Sequence, residues 1–406
     1  MRPENALSLL LIVLGAFFLP MISRRLRIPS AVGEILYGMI LGEHFLGLIS
    51  QDDFIRFLSQ LGFAILMFMA GMEIDFNRLR PRAGGNLSLS LLVIFWMGLL
   101  GLLFWYFLDW KATLILGLGC VSIGLGVAFF KEHRLLTTPV GQIFLSIGFL
   151  GELGSIILLT LIELYHRFGT SSEIVIEVGK FVGIFLVAFI FMRIFRFLVW
   201  WFPHRFQSLI GGQDPLELGV RLSFALLFVF LALSTWLGVE MILGAFLAGA
   251  LFSFVFRERE QIMEKLNSIG QGFFIPFFFV VVGVSFDPRV ALTHTSPFFF
   301  LSLLGLGLIQ KIFPSLWLRL GKFTFRQILA LGFLFSAPFT LMVAIAEIGL
   351  QLGLLSEELH SSLLLLAVVS GLLNPILSRR LFQPEIKLLK EKAEGKESPV
   401  FLGTSS

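Results

Sequence analysis

One carboxyl stands at the centre of the apolar run LSIGFLGELGSIILL, that of Glu152. An ionisable group at bilayer depth costs about 2.5–3.5 kcal/mol on insertion scales, so its presence asks for a reason. A carboxyl in such a place holds a proton or a small cation, and holds both together poorly. Lys311, in LGLGLIQKIFPSLW, is a second ionisable group deep in an apolar run, and Glu347, in MVAIAEIGLQ, is a third. Ser122 is the hydroxyl of CVSIGLGVAFF, a stretch that also carries Gly117, Gly119, Gly124 and Gly126. Glycine weakens a helix. A break there exposes carbonyls and partly charged half-helix ends to a cation. The structural alternatives are a protonated Glu152 bonded to nearby backbone and a Lys311 that serves only as an ion-pair partner.

The elements that position these residues follow from composition. Hydrophobic residues make up 57% of the 406, charged residues only 14%, and Phe occurs 48 times. A soluble domain carries about 25% charged residues, whereas a spanning helix needs about 20 mostly apolar ones. Runs of that kind predict an all-α polytopic membrane protein of about 13 transmembrane helices. The spans are residues 5–22, 31–49, 54–72, 86–108, 112–130, 140–164, 175–200, 215–236, 240–256, 266–284, 297–318, 325–350 and 359–378, numbered 1 to 13 here. Span 1 lacks the charged start and cleavage site of a signal peptide and reads as a retained span. Residues 1–384 form one transmembrane domain, and 385–406 a short polar tail on the cytoplasmic side.

Several function classes are excluded. There is no strand–GxGxxG–helix unit, and no pairing of nucleophile with base, so the chain does not read as an enzyme and no cofactor is expected. Cys120 is the single cysteine, and the six His fall in loops or at span ends without metal-ligand spacing. No metal site is expected beyond a transported monovalent cation. The net charge of +4 reflects the bias of the loops and does not imply nucleic-acid binding. Of the 31 Lys and Arg, 23 lie in the loops after odd-numbered spans and in the tail, and 6 on the other side. Arg221 and Lys311 remain inside spans. Basic loops face the cytoplasm, which puts the N-terminus outside and the C-terminus in the cytoplasm. Arg221 follows Glu217 by four residues, which aligns the two on one helix face as an anchor for the inner end of span 8.

A weak internal repeat runs through the chain. Gly33 and Gly38 in span 2 match Gly244 and Gly249 in span 9; Gly71 and Asp75 at the end of span 3 match Gly283 and Asp287 at the end of span 10. Both matches are offset by seven spans, and an odd offset reverses orientation. The reading is two inverted repeats, about 5–164 and 215–378, joined by a linker helix at 175–200. Inverted repeats are a recurrent design of secondary transporters. On this reading span 5 corresponds to span 12, where Ser336, Ala337 and Pro338 interrupt the middle. Interrupted helices in corresponding positions point to a binding site.

These segments resemble the monovalent cation:proton antiporters, on the Kef-like and NapA-like sodium/hydrogen exchanger branch. RRLRIPSAVGEILYGMILGEHFLGLI is similar to the family's Arg-Ile-Pro-x-x-x-Gly-Glu opening, and LGFAILMFMAGMEIDFNRLR to its Phe-x-x-Gly-x-Glu-x-Asp segment. LGAFLAGALFS and FFIPFFFVVVGVSFDP are similar to two further signatures. The resemblance covers about residues 8–380. It implies crossed discontinuous helices in a mobile core domain, a scaffold domain, a homodimer in membrane lipid, and a bacterial inner (plasma) membrane location. It also implies roles for Glu34 and Glu73, which match family positions near span ends and suit gating or structure, and for Lys311, which in some members pairs with the first acid of span 6.

Departures from the family sit where the ion binds. The family places Asp-Asp or Asn-Asp in span 6, and this chain has Gly151-Glu152; span 5 has only Ser122, and span 12 reads SAPFTLMVAIAEIG. Lys311 is therefore expected to pair with Glu152, to meet helix carbonyls, or to lose its proton. The leading expectation is exchange of Na⁺ or K⁺ for protons by alternating access, with Glu152, Lys311 and Ser122 binding ions or protons. Glu347, Glu34 and Glu73 are candidates for the pathway or gate. Two other readings stay open: a non-transporting member acting as a sensor or scaffold, and an organic-anion transporter on a related fold.

Overall fold

The apolar runs fold as helices because a backbone in hydrocarbon has to satisfy its N–H and C=O groups within its own segment. The computed structural model describes residues 3–26, 29–42, 44–49, 52–73, 84–108, 110–133, 135–136, 138–169, 173–201, 217–238, 241–256, 260–286 and 296–387. Asp75, Asp287 and the tail after residue 387 lie outside the described residues. The helices are α1 (Pro3–Leu26), α2 (Ser30–Leu41), α3 (Asp53–Met72), α4 (Gly84–Leu108), α5 (Ala112–Gly119), α6 (Gly124–Glu132), α7 (Pro139–Phe168) and α8 (Glu173–Trp201). They continue as α9 (Leu218–Leu237), α10 (Met241–Val255), α11 (Glu260–Ile269), α12 (Ile275–Ser285), α13 (Pro297–Ser315), α14 (Phe325–Phe335), α15 (Phe339–Gln351) and α16 (Glu357–Leu381). A π-helical turn at Gly270–Phe274 joins α11 to α12.

Among the described residues, ten helical segments are long and apolar enough to cross a membrane, and Ser30–Leu41, Ala112–Val127 and Met241–Val255 are shorter apolar segments. The helix of span 2 stops at Leu41, well before residue 49. Gly42 is extended, and Gly47 takes a φ of +63°, which favours glycine. Its 12 residues rise about 18 Å, short of a hydrocarbon core of roughly 30 Å.

Glycines set the closest contacts between helices. α2 lies on α12 with Gly38 against the backbone of Val280 and Gly283, and α3 lies on α10 with Gly71 against the backbone of Phe246 and Gly249. A methyl group at any of these four glycines would overlap a carbonyl oxygen of the facing helix. Small residues let membrane helices approach backbone to backbone, where packing rather than water expulsion drives association. Gly33 packs on the Ser23 hydroxyl of α1, and Gly244 packs on the Ser234 hydroxyl of α9.

Spans 5 and 12 are each interrupted. The backbone is non-helical at 120–123, between α5 and α6, and at 336–338, between α14 and α15. α5 packs against α15 and α7, and α6 packs against α14 and α16. The pairing of Glu217 with Arg221 is replaced by a tertiary one: both carboxylate oxygens of Glu217 lie 2.7 Å from Nζ of Lys265 on α11. Glu217 precedes α9 in a left-handed conformation, φ 51°, so helical spacing does not govern where its side chain points.

Candidate functional site

The first break follows from its sequence. Glycines at 117, 119, 124 and 126 flank it, and Cys120 turns extended at φ −60°, ψ 148°. A helix end leaves carbonyls without intrahelical partners. At the end of α5, the Leu116 carbonyl accepts from the Cys120 N–H, and the Gly117 carbonyl from Cys120 Sγ. The Leu118 carbonyl accepts from Nζ of Lys311 at 2.5 Å. Lys311 is fully buried. A cation at a helix C-terminus and an anion at a helix N-terminus both complement the helix dipole.

Glu152 occupies the opposite end of the same break. It is 1% exposed. Its Oε2 accepts from the Ile123 N–H, which opens α6, and its Oε1 accepts from Ser122 Oγ, each at 3.4 Å. Those distances are long for hydrogen bonds, so the carboxyl is held loosely by groups a bound cation can replace. Ser122 Oγ also lies 2.9 Å from Oγ1 of Thr340, in the first turn of α15. The two breaks therefore meet through a pair of hydroxyls beside one carboxyl.

Side chains of α7 and α16 hold the two breaks. Ser155 Oγ accepts from the Val121 N–H at 3.4 Å and donates to the Gly151 carbonyl at 2.7 Å. Asn374, buried on α16, donates from Nδ2 to the Ser336 carbonyl at 2.7 Å. Pro338 opens α15 and has no N–H to continue the ladder. Thr340, Ser155 and Asn374 were not among the residues expected from sequence. The signal available for Asn374 was a lone amide in the apolar run of span 13.

The remaining candidates sort by position. Of the three fates open to Lys311, the structure has it on a helix carbonyl. Gly151 explains the missing partner, since a methyl group there would press on the Val121 side chain at 2.8 Å. Glu73 caps the C-terminal end of α3. Glu34 is buried on α2, which packs against α1, α12 and α16. Glu347 Oε1 lies 3.0 Å from Nε2 of His360 on α16.

Ser122→Ala removes the hydroxyl that lies between Glu152 and Thr340 without disturbing the backbone of the break. Its expected effect is a loss of apparent cation affinity of about three- to tenfold, the worth of one net hydrogen bond. Cation titrations of the wild type and the variant check this, and an unchanged affinity would place the ion elsewhere.

Comparison with known proteins agrees with this architecture. A family model described as "Sodium/hydrogen exchanger, transmembrane" matches residues 12–383. The putative Na⁺/H⁺ antiporter YjbQ of Bacillus subtilis (strain 168) is 32% identical over 100% of this chain and 67% of its own length. The probable Na⁺/H⁺ antiporter 3 of Methanocaldococcus jannaschii is 26% identical over 90% of this chain and 94% of its own. The solved structure of the sodium proton antiporter MjNhaP1 from Methanocaldococcus jannaschii at pH 8 aligns at a TM-score of 0.64 and 15% identity, covering 94% of this chain and 97% of that one. That likeness shows a shared helical fold, and the match of the family model across nearly all of the chain shows that this integral membrane protein belongs to the sodium/hydrogen exchanger family, a family of monovalent cation:proton antiporters and not of enzymes.

Proposed function

We propose that the chain exchanges a monovalent cation, Na⁺ or K⁺, for protons by alternating access, with Glu152 holding each in turn. The observation that carries the reading is the placement of Glu152: a carboxyl 1% exposed, at the N-terminal end of a half-helix, where two breaks meet. Burial this complete seals the site from both sides, so each ion reaches it only when the helices around it move. The names of the relatives support the same exchange. Ser122 and Thr340 supply further ligands, and Lys311 caps the end of α5. Glu73, at the end of α3, and Glu34, buried on α2, serve the pathway or gate.

The same reading includes thirteen spans in two inverted repeats, the short segments α2, α10 and α5–α6 counted with the ten long ones. Spacing and packing support it. Ser23, Gly33, Gly38 and Gly71 match Ser234, Gly244, Gly249 and Gly283 in order, and each serine meets the glycine ten residues on. The contact of Gly38 with Gly283 and that of Gly71 with Gly249 are the same contact under exchange of the repeats. It further includes a homodimer in a bacterial inner membrane, with the N-terminus outside and the C-terminus in the cytoplasm. A reporter fused after Ser406 that works only in the cytoplasm is expected to be active; silence would reverse the orientation.

The test of exchange is proton movement in proteoliposomes as Na⁺, K⁺ and Li⁺ are added in turn. Protons are expected to move with at least one of them. No movement with any cation would leave the non-transporting sensor or scaffold as the better reading.

A further inference from the structure

At the end of the bundle away from the basic loops, a cavity of about 450 Å³ opens between α3, α10, α12 and α15. Its polar wall is Arg56, Ser59, Gln60, Ser285, Glu347 and Gln351. Glu347 faces this cavity, and behind it His360, 2% exposed, lies 3.0 Å away. The pair is coupled in position to the ion site. Thr340, Ala344, Glu347 and Gln351 recur at helical spacing and so share one face of α15. Thr340 meets Ser122 beside Glu152, and Glu347 stands about 10 Å further along the same face.

We propose that this cavity is the vestibule of the ion path on its side of the membrane, and that Glu347, held by His360, is a loading site where a monovalent cation and a proton compete before either reaches Glu152. This rests on the exchange reading. With a neutral imidazole, the ring N–H donates to one carboxylate oxygen and leaves a negative charge for a cation. When the imidazole takes a proton from solution, the pair becomes neutral and the cation leaves; a cation binding again returns that proton to solution. Arg56 from α3 opposes the cation with a fixed charge. The other described titratable groups toward this end include His44 after α2, Asp52 and Asp53 at the start of α3, Lys111 before α5, Glu163, His166 and Arg167 near the end of α7, Glu177 and Lys180 on α8, and Glu357 and Glu358 at the start of α16. Of these, Glu357 stands one helical turn before His360 on α16, and its charge adds to that of a pair that can itself switch.

The test compares the apparent KM for Na⁺ offered from each side of sealed vesicles, as a function of pH on that side. Glu347→Gln is expected to raise the vestibule-side KM at least about fivefold, the worth of one unit charge near 4 Å in water, and to leave the opposite side unchanged. Arg56→Gln is expected to lower it. His360→Gln keeps a donor for Glu347 but cannot charge, so its vestibule-side KM should rise less steeply than that of the wild type as that pH falls, the remaining rise being proton competition at Glu152. Glu347→Asp keeps the charge and controls for folding; it should retain a KM close to that of the wild type. Equal shifts on both sides, or an unchanged pH response in His360→Gln, would make the pair a structural tie between α15 and α16. A binding measurement separates this site from transport. In detergent, adding NaCl in place of choline chloride to Glu152→Gln protein should still release protons, and Glu347→Gln added to it should abolish the release. No release from Glu152→Gln, or release that persists in the double variant, would overturn the loading site while leaving the exchange reading standing.

Discussion

Glu152→Gln is expected to reduce cation-driven proton movement to the level of protein-free vesicles, while the protein still folds and elutes as the wild type does. The amide has nearly the shape of the carboxyl and retains an oxygen to accept from Ser122 or the Ile123 N–H. It can neither ionise nor give up a proton. A charge that neutralises a cation at bilayer depth is thereby removed, and no other described acid contacts Ser122 at the meeting of the breaks. Glu152→Asp keeps the chemistry but draws the carboxyl back by one methylene from groups already 3.4 Å away. Slower exchange with weaker cation binding is expected from it. Full exchange by Glu152→Gln would make Glu152 a structural residue and move the ion site to another acid, with Glu73 the first to examine.

Gly249→Leu is expected to have the largest effect on folding. Its side chain would enter the contact of α10 with α3, where even a methyl group overlaps the carbonyl oxygen of Phe68 and approaches the Met72 N–H. Neither atom belongs to a side chain that can turn aside, so the helices have to separate. Overpacking of this kind costs about 1–3 kcal/mol in soluble cores, and separating two backbones adds lost packing along the contact. Thermal unfolding in detergent measures the result, and most of the protein is expected to aggregate. Gly305→Leu is the matched control, since a Cβ there meets nothing within 4 Å. If the two variants melt alike, the glycine contacts do not hold the bundle together.

The four contact glycines show how far the sequence could be read. Their spacing within spans 2, 3, 9 and 10 was visible as an imperfect repeat, yet their purpose was not, because which helices touch is a tertiary fact. The break in span 5 was legible from its glycines, and that in span 12 from Ser336, Ala337 and Pro338. Glu152 and Lys311 stood out because ionisable groups in apolar runs are costly, and Ser122 because it stands among the glycines of span 5. Thr340 and Asn374 did not stand out, since a hydroxyl or amide in such a run is common and cheap beside a charge. Helical spacing misled at Glu217, whose partner is Lys265, because that residue lies outside the helix whose period was applied. His360 read as a span-end residue, and only packing of α16 on α15 brings it to Glu347.

In the proposed exchange, one carboxyl alternately holds one proton and one cation. Lys311 is engaged by the Leu118 carbonyl; if it keeps its proton through the cycle it adds a constant charge, and the two legs carry the same net charge. Counting cation and proton fluxes together in proteoliposomes, with a voltage imposed across the membrane, tests this most directly. Equal fluxes and a rate indifferent to voltage are expected. One net charge per cycle would couple about 2.3 kcal/mol for each 100 mV, so a rate that changes with voltage, or two protons moved per cation, would contradict it.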